Sequence, residues 1–262
     1  MPVAIPNYRY SYRRKGKPVY VPTSIGRRIG NEIKEAVEEA YDFSATYFHM
    51  ASGGHVAAMH HHRDSAVFAR IDIARFFYSV SRRRVQSAID RIGLKTSRFY
   101  AQWSTVRNPY REPDYALPYG FVQSPILASL TISTSALGEH LEALPEDIRA
   151  SVYMDDIALS GDDPAELEAV FRDTLAVLER EGFAVNEDKL RPPGPLIDIF
   201  NCDLSAGRSV VRTERIEEFL ADSPSEESER AFTAYCASVE DGNAPPAPGV
   251  TQIVTRDNAH SR

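Results

Sequence analysis

Residues 151 to 161, Ser-Val-Tyr-Met-Asp-Asp-Ile-Ala-Leu-Ser-Gly, set two adjacent carboxylates, Asp155 and Asp156, inside a run that otherwise reads as apolar β-strand. Aspartate is a favoured turn residue, so an ordinary hairpin accounts for the pair as well as any chemistry does. The chemical alternative is that the hairpin tip supplies oxygen ligands for Mg²⁺, which takes carboxylates and keeps its other positions for phosphates and water. That alternative requires a third carboxylate and groups that handle phosphate. Asp72 is the candidate: Val67, Ala69, Ile71 and Ile73 alternate as one buried strand face, and Asp72 points to the other. Two-metal phosphoryl transfer needs carboxylates from separate strands converging on ions roughly 3.5 to 4 Å apart. Asp72 and Asp155 supply that geometry if their strands are neighbours.

The elements that must position these acids are legible in part. Residues 12–22 read as a hairpin turning at Lys15-Gly16, and Ile29, Ile33, Val37 and Ala40 recur at helical spacing. Residues 82–105 read as helical. Ser124-Pro125 opens a further helix as cap and first position, with Leu127, Leu130, Thr134, Leu137 and Leu141 as its stripe. A hairpin over 150–160 precedes a helix capped by Asp163, entered by Pro164 and stopped by Gly182. Phe183-Ala184-Val185 reads as a short strand. Ile199 to Leu204 and Arg208 to Val211 read as two strands around a turn, and a helical stretch follows Arg215. The order suits an antiparallel sheet backed by helices, an α+β architecture. The breaker-rich 241–262 reads as coil.

The 262 residues are 43% hydrophobic and 26% charged, an ordinary globular composition. No apolar run approaches a membrane span, the start lacks a signal-peptide core, and two cysteines, Cys202 and Cys236, are too few for a disulfide framework. A cytoplasmic protein with no membrane partner is expected. The net charge of −7 argues against a general nucleic-acid binder, yet residues 1–34 carry eight Lys or Arg against Glu32 alone, a candidate polyanion surface.

Four stretches in order carry a resemblance. Ile71-Asp72-Ile73-Ala74-Arg75-Phe76-Phe77-Tyr78-Ser79-Val80 resembles the first palm motif of reverse transcriptases. Leu117-Pro118-Tyr119-Gly120-Phe121-Val122-Gln123-Ser124-Pro125 resembles their Leu-Pro-Gln-Gly motif and the Ser-Pro after it. Tyr153-Met154-Asp155-Asp156 resembles their Tyr-X-Asp-Asp box, and 182–189 is similar to their Gly-Phe, Asn and Lys motif. The resemblance implies a right-hand polymerase with fingers (1–66), a palm (67–213, with a fingers insertion near 82–115) and a reduced thumb with a C-terminal tail (214–262). It implies that Asp72, Asp155 and Asp156 serve two Mg²⁺ ions, or Mn²⁺ in their place, with Lys189 as proton donor to pyrophosphate. Lys15, Lys17, Ile73, Phe77, Tyr119, Gly120 and Ser124 fall at its nucleotide-binding positions, and Phe77 would exclude a ribose 2′-hydroxyl.

The chain departs from the family in having Lys17 where Arg is usual before Pro18, and Tyr119 where Gln is usual. With Gly53-Gly54-His55-Val56-Ala57-Ala58 and a short thumb, the whole most resembles compact bacterial reverse transcriptases of phage defence, related to retron enzymes. That implies DNA synthesis from dNTPs on a dedicated non-coding RNA, with an accessory protein or self-association, or else synthesis that is template-independent or protein-primed. A non-catalytic RNA-binding scaffold is the alternative of another class. His60, His61 and His62 lack zinc spacing and suit nucleic-acid or triphosphate contact better. Residues 98–111 interleave aromatics with cations, which suits either stacking on a single strand or helix packing.

Overall fold

The computed structural model describes residues 6–50 and 53–244. Strands β1 (Tyr8–Arg14) and β2 (Lys17–Pro22) form the expected hairpin, with Lys15 and Gly16 both at positive φ in its turn. Helix α1 (Ser24–Ala40) starts where Thr23 accepts from Gly26 N–H and buries Ile29, Ile33 and Val37. Helix α2 (Gly54–His62) leads into β3 (Val67–Asp72) and the single turn α3 (Phe76–Ser79). The helix expected over 82–105 is two, α4 (Arg82–Arg91) and α5 (Ser97–Ser104), because Gly93 turns to φ +81°.

Short paired strands β4 (Val106–Arg107) and β5 (Tyr115–Ala116) precede α6 (Ser124–Ser133) and α7 (Ala136–Glu142). The leucine stripe expected on one helix is thus split. Ser135 leaves helical geometry and its hydroxyl caps α7 by accepting from Leu137 N–H. Strands β6 (Arg149–Tyr153) and β7 (Asp156–Gly161) make the expected hairpin, and α8 (Pro164–Arg180) begins with the Asp163 carboxylate accepting from the N–H groups of Ala165 and Glu166. Residues 183–185 do not extend into a strand; Val185 makes one antiparallel bridge to Ile73. A 3₁₀ turn (Glu187–Lys189) then leads to β8 (Arg191–Gly194), β9 (Leu196–Ile199), β10 (Cys202–Ser205) and β11 (Arg208–Val211). The strand expected over 199–204 is instead a bend at Phe200-Asn201, both at positive φ, so β9, β10 and β11 form a three-stranded sheet. Helices α9 (Thr213–Ala221) and α10 (Glu226–Glu240) follow, and the expected coil 241–262 falls within the described residues only to 244.

The central sheet runs β6-β7-β3-β8, with antiparallel neighbours throughout and Asp72 opposite Asp156. Ala69, Ile71, Ile157 and Leu159 face the larger core, which the helices complete. The opposite face is buried as well: Phe68 and Ala158 meet Met59, Ile197, Ile199, Leu204 and Val239. The β9–β11 sheet and α10 cover that side, so Phe68, Arg70 and Asp72 are all buried. Enclosing a ring such as Phe68 contributes roughly 1.5–3 kcal/mol. Among the described residues no helix is long and apolar enough to cross a membrane.

Candidate active site

Strand β3 ends at Asp72 and the β6–β7 turn consists of Met154 and Asp155, so the antiparallel register brings the two acids to one end of the sheet. Met154 has φ +58°, a conformation that hairpin turns usually give to glycine. Ile73 N–H donates to the Asp155 carbonyl and Asn186 N–H to the Asp72 carbonyl, each at 2.8 Å, which fastens the turn and the 183–186 segment to the strand end.

Asp72 and Asp155 line a cavity of about 290 Å³ with Lys17, Arg75, Tyr119 and Lys189. Lys189 Nζ donates to Asp72 Oδ2 at 2.6 Å, and Lys17 Nζ donates to the Tyr119 hydroxyl at 3.3 Å. Burial, then the Asp72 charge, pushes the Asp155 carboxyl above its ordinary value, with Lys189 and Lys17 opposing. Burial works against the Lys17 ammonium, but Tyr119, Asp155 and Asp72 together raise it. Arg75, at φ +51°, stacks its guanidinium 4.3 Å from the Tyr110 ring centroid.

Asp156 does not line this cavity. Arg70 Nε donates to its Oδ1 at 2.8 Å, and the Arg70 terminal nitrogens reach Asp156 at 2.6 Å and Asp198 at 3.1 Å. Arg191 closes on Asp198 at 2.5 Å. Burial pushes the Asp156 carboxyl up to about 6, Arg70 holding it below where burial alone would put it. Asp156 sits in the β3–β7 ladder, within reach of Arg70, whereas Asp155 occupies the turn.

Other expected nucleotide contacts divide similarly. Lys17, Ile73 and Tyr119 line the cavity; Lys15, Phe77, Gly120 and Ser124 do not. Lys15 is exposed in the β1–β2 turn. Phe77 is buried and packs edge-on against Tyr119, 4.8 Å between centroids, so the tyrosine in place of the usual Gln forms the wall instead. Gly120, at φ +101°, lets Tyr20 approach: a Cβ there would lie 2.2 Å from the Tyr20 carbonyl oxygen. Ser124 begins α6 as its first residue, not its cap, with its hydroxyl buried and without a partner among the described residues.

Tyr78, Tyr110, Arg75 and Asn186, not expected as site residues, also line the cavity, and Arg70 and Asp198 pair behind it; of these, Tyr78, Arg75 and Asn186 lie inside the four motifs. Of the three adjacent histidines, His61 is exposed, whereas the other two bond within the fold. Buried His62 bridges Ser151 and Ser160, at 2.8 Å to each hydroxyl, and His60 meets the Val239 carbonyl.

The donor set fits a divalent cation. Two carboxylates share one cavity, where a dication would offset their repulsion, and the remaining positions suit phosphate and water. Among the described residues no group of three or more His, Cys, Asp or Glu is placed to hold a metal ion.

A four-stranded antiparallel sheet backed by helices, with carboxylates from a strand end and a hairpin turn, is the palm of a right-hand polymerase. Residues 10–192 match the family described as reverse transcriptase (RNA-dependent DNA polymerase), and the chain belongs to that family of nucleotidyltransferases. Among solved structures, Candida albicans telomerase in complex with a fragment of telomeric RNA is 12% identical over 72% of this chain and 39% of that one, with a TM-score of 0.50. The foamy viral protease-reverse transcriptase in complex with double-stranded DNA is 16% identical over 80% of this chain and 31% of that one, with a TM-score of 0.47. At such identity the telomerase likeness shows the fold alone, and the chain spans well under half the length of either structure. Comparison with curated proteins gives no match.

Proposed function

We propose that the protein is an RNA-directed DNA polymerase that extends a primer with deoxynucleotides. The observation that carries this reading is the convergence of Asp72 and Asp155 in one cavity whose walls also hold Lys17 and Lys189. Mg²⁺ ions, or Mn²⁺ in their place, held by Asp72 and Asp155 would activate the attacking oxygen and stabilise the leaving phosphates. In the reaction the primer 3′-oxygen bonds to the α-phosphorus as the bond to the β-phosphate oxygen breaks, and pyrophosphate departs. Lys17 and Arg75 meet the triphosphate charge. Lys189, poised on Asp72, passes a proton to the departing pyrophosphate. Tyr119, backed by Phe77, bounds the sugar and disfavours a 2′-hydroxyl. Asp156 assists through the ladder instead of touching substrate.

In this reading residues 1–66 are fingers, 67–213 palm with an insertion near 82–115, and 214–262 a reduced thumb and tail. The departures at Lys17 and Tyr119 and the segment Gly53 to Ala58 support a bacterial enzyme of the phage-defence group. It would act in the cytoplasm on a dedicated non-coding RNA, with an accessory protein or a second copy helping to hold the primer. A protein-primed variant of the same chemistry would take its hydroxyl from Tyr110, which lines the cavity; Tyr78 donates its own to the Pro18 carbonyl and Tyr119 accepts from Lys17.

The test is incorporation of labelled dNTPs by protein purified with its bound RNA, before and after RNase, beside Asp72→Asn. RNase-sensitive synthesis that Asp72→Asn abolishes supports templated polymerisation. DNA covalently attached to the protein supports the primed variant, and no synthesis in the presence of bound RNA and Mg²⁺ supports a scaffold instead.

A further inference from the structure

The aromatic and cationic run 98–111 resolves into two environments. Tyr100 is buried in the core, while Phe99 remains 46% exposed on the other side of α5. Phe99 and Trp103, 6.0 Å apart between centroids, form one wall of a groove of about 600 Å³ with Tyr8, Tyr115, Arg82 and Arg107. Tyr115 is 43% exposed. The groove shares no lining residue with the catalytic cavity.

We propose that this groove binds an unpaired segment of single-stranded RNA, with bases stacked on the Phe99, Trp103 and Tyr115 rings and phosphates on Arg82 and Arg107. Exposed rings of this kind offer faces to any unstacked base, and a base-paired duplex presents none. The volume lies within the range of nucleotide-sized sites. Arg82 is prepared for the role. Its Nε donates to Thr105 Oγ1 at 2.7 Å and its guanidinium lies 3.9 Å from the Tyr115 ring centroid, which fixes the plane of the fork. Among the described residues its terminal nitrogens have no hydrogen-bond or ion-pair partner, which leaves them for phosphate.

Arg107 stands opposite Tyr115 in the β4–β5 ladder, so a second cation flanks the same ring. Gln102, also in the lining, supplies an amide donor and acceptor for a base edge. Charge decides between occupants. Among the described residues no carboxylate lines the groove, although the chain carries 37 Asp and Glu against 30 Lys and Arg, and a groove with two arginines and no such acid complements phosphate better than a polypeptide. The choice of RNA over DNA rests on the polymerase reading; the stacking site itself does not.

Trp103 is the sole tryptophan, so its emission reports on this groove directly. A short oligouridylate titrated into the full chain should quench that emission in a salt-sensitive way. Phe99→Ala and Tyr115→Ala should each weaken binding about ten-fold or more, both being exposed rings whose removal leaves the core intact. Asp155→Asn should quench as wild type does while losing synthesis, which separates failure of this site from failure of the catalytic reading. Unchanged Trp103 emission while labelled RNA binds elsewhere, or no binding at all, would overturn the proposal. Quenching by oligothymidylate alone would overturn the choice of RNA, and quenching by a proline-rich peptide alone would make the groove a polypeptide site.

Discussion

Asp155 and Asp156 are adjacent in sequence and occupy unlike regions. Asp155, in the β6–β7 turn, opens onto the cavity and shares it with Asp72, Lys17, Arg75 and Lys189. Asp156, at the start of β7, is held by Arg70, which also reaches Asp198 in β9 and lies 3.8 Å from Asp72. The first region sets two carboxylates among Lys17, Arg75 and Lys189; the second pairs Asp156 and Asp198 with Arg70 and Arg191 and joins β3 to β9. The difference shows how two adjacent acids divide: one opens onto the cavity, and its neighbour sits in the ladder beside it.

That division is broken most severely by Arg70→Met, which leaves Asp156 and Asp198 without their buried partner. Urea unfolding should show a loss of about 3–5 kcal/mol, partly recovered in the Arg70→Met, Asp156→Asn double variant. Asp155→Asn should by contrast keep or slightly raise stability, since it relieves repulsion with Asp72.

His62, between the β6 and β7 serines, sharpens the comparison through pH. Burial, helped by His61 and Arg149, pushes its imidazolium pKa down to about 3, against an ordinary 6.5. The unfolded chain therefore binds the extra proton between these values, so the stability His62 contributes is complete above pH 6.5 and is lost as pH falls toward 3. His62→Gln should cost roughly 1–3 kcal/mol at neutral pH, and that cost should shrink in unfolding curves taken progressively below pH 6.5. The smallest effect belongs to the cavity wall. Tyr119→Gln removes the edge contact with Phe77 and the Lys17 hydrogen bond, and should reduce discrimination against ribonucleotides by roughly two- to ten-fold in kcat/KM ratios.

Much of this arrangement was legible before the fold. The Lys15-Gly16 turn, the Asp163-Pro164 helix start and the alternation around Asp72 are local signals, and the structure keeps all three. What was not legible depends on partners distant in sequence. Arg70 alternates with Ala69 and Ile71 as a solvent-facing residue would, and only the cover of β9 and α10 makes it buried. Phe200 and Asn201 carry no glycine to mark their bend. Phe77 sits where a sugar contact is expected, but the ring of Tyr119 reaches the cavity ahead of it.

The most direct test of the division between the two acids is Mn²⁺ binding, followed by electron paramagnetic resonance, to wild type, Asp155→Asn and Asp156→Asn, each first shown to be folded by circular dichroism. Asp155→Asn should lose binding while Asp156→Asn stays within a few-fold of wild type. A folded Asp156→Asn protein that loses Mn²⁺ as completely as Asp155→Asn would contradict that division.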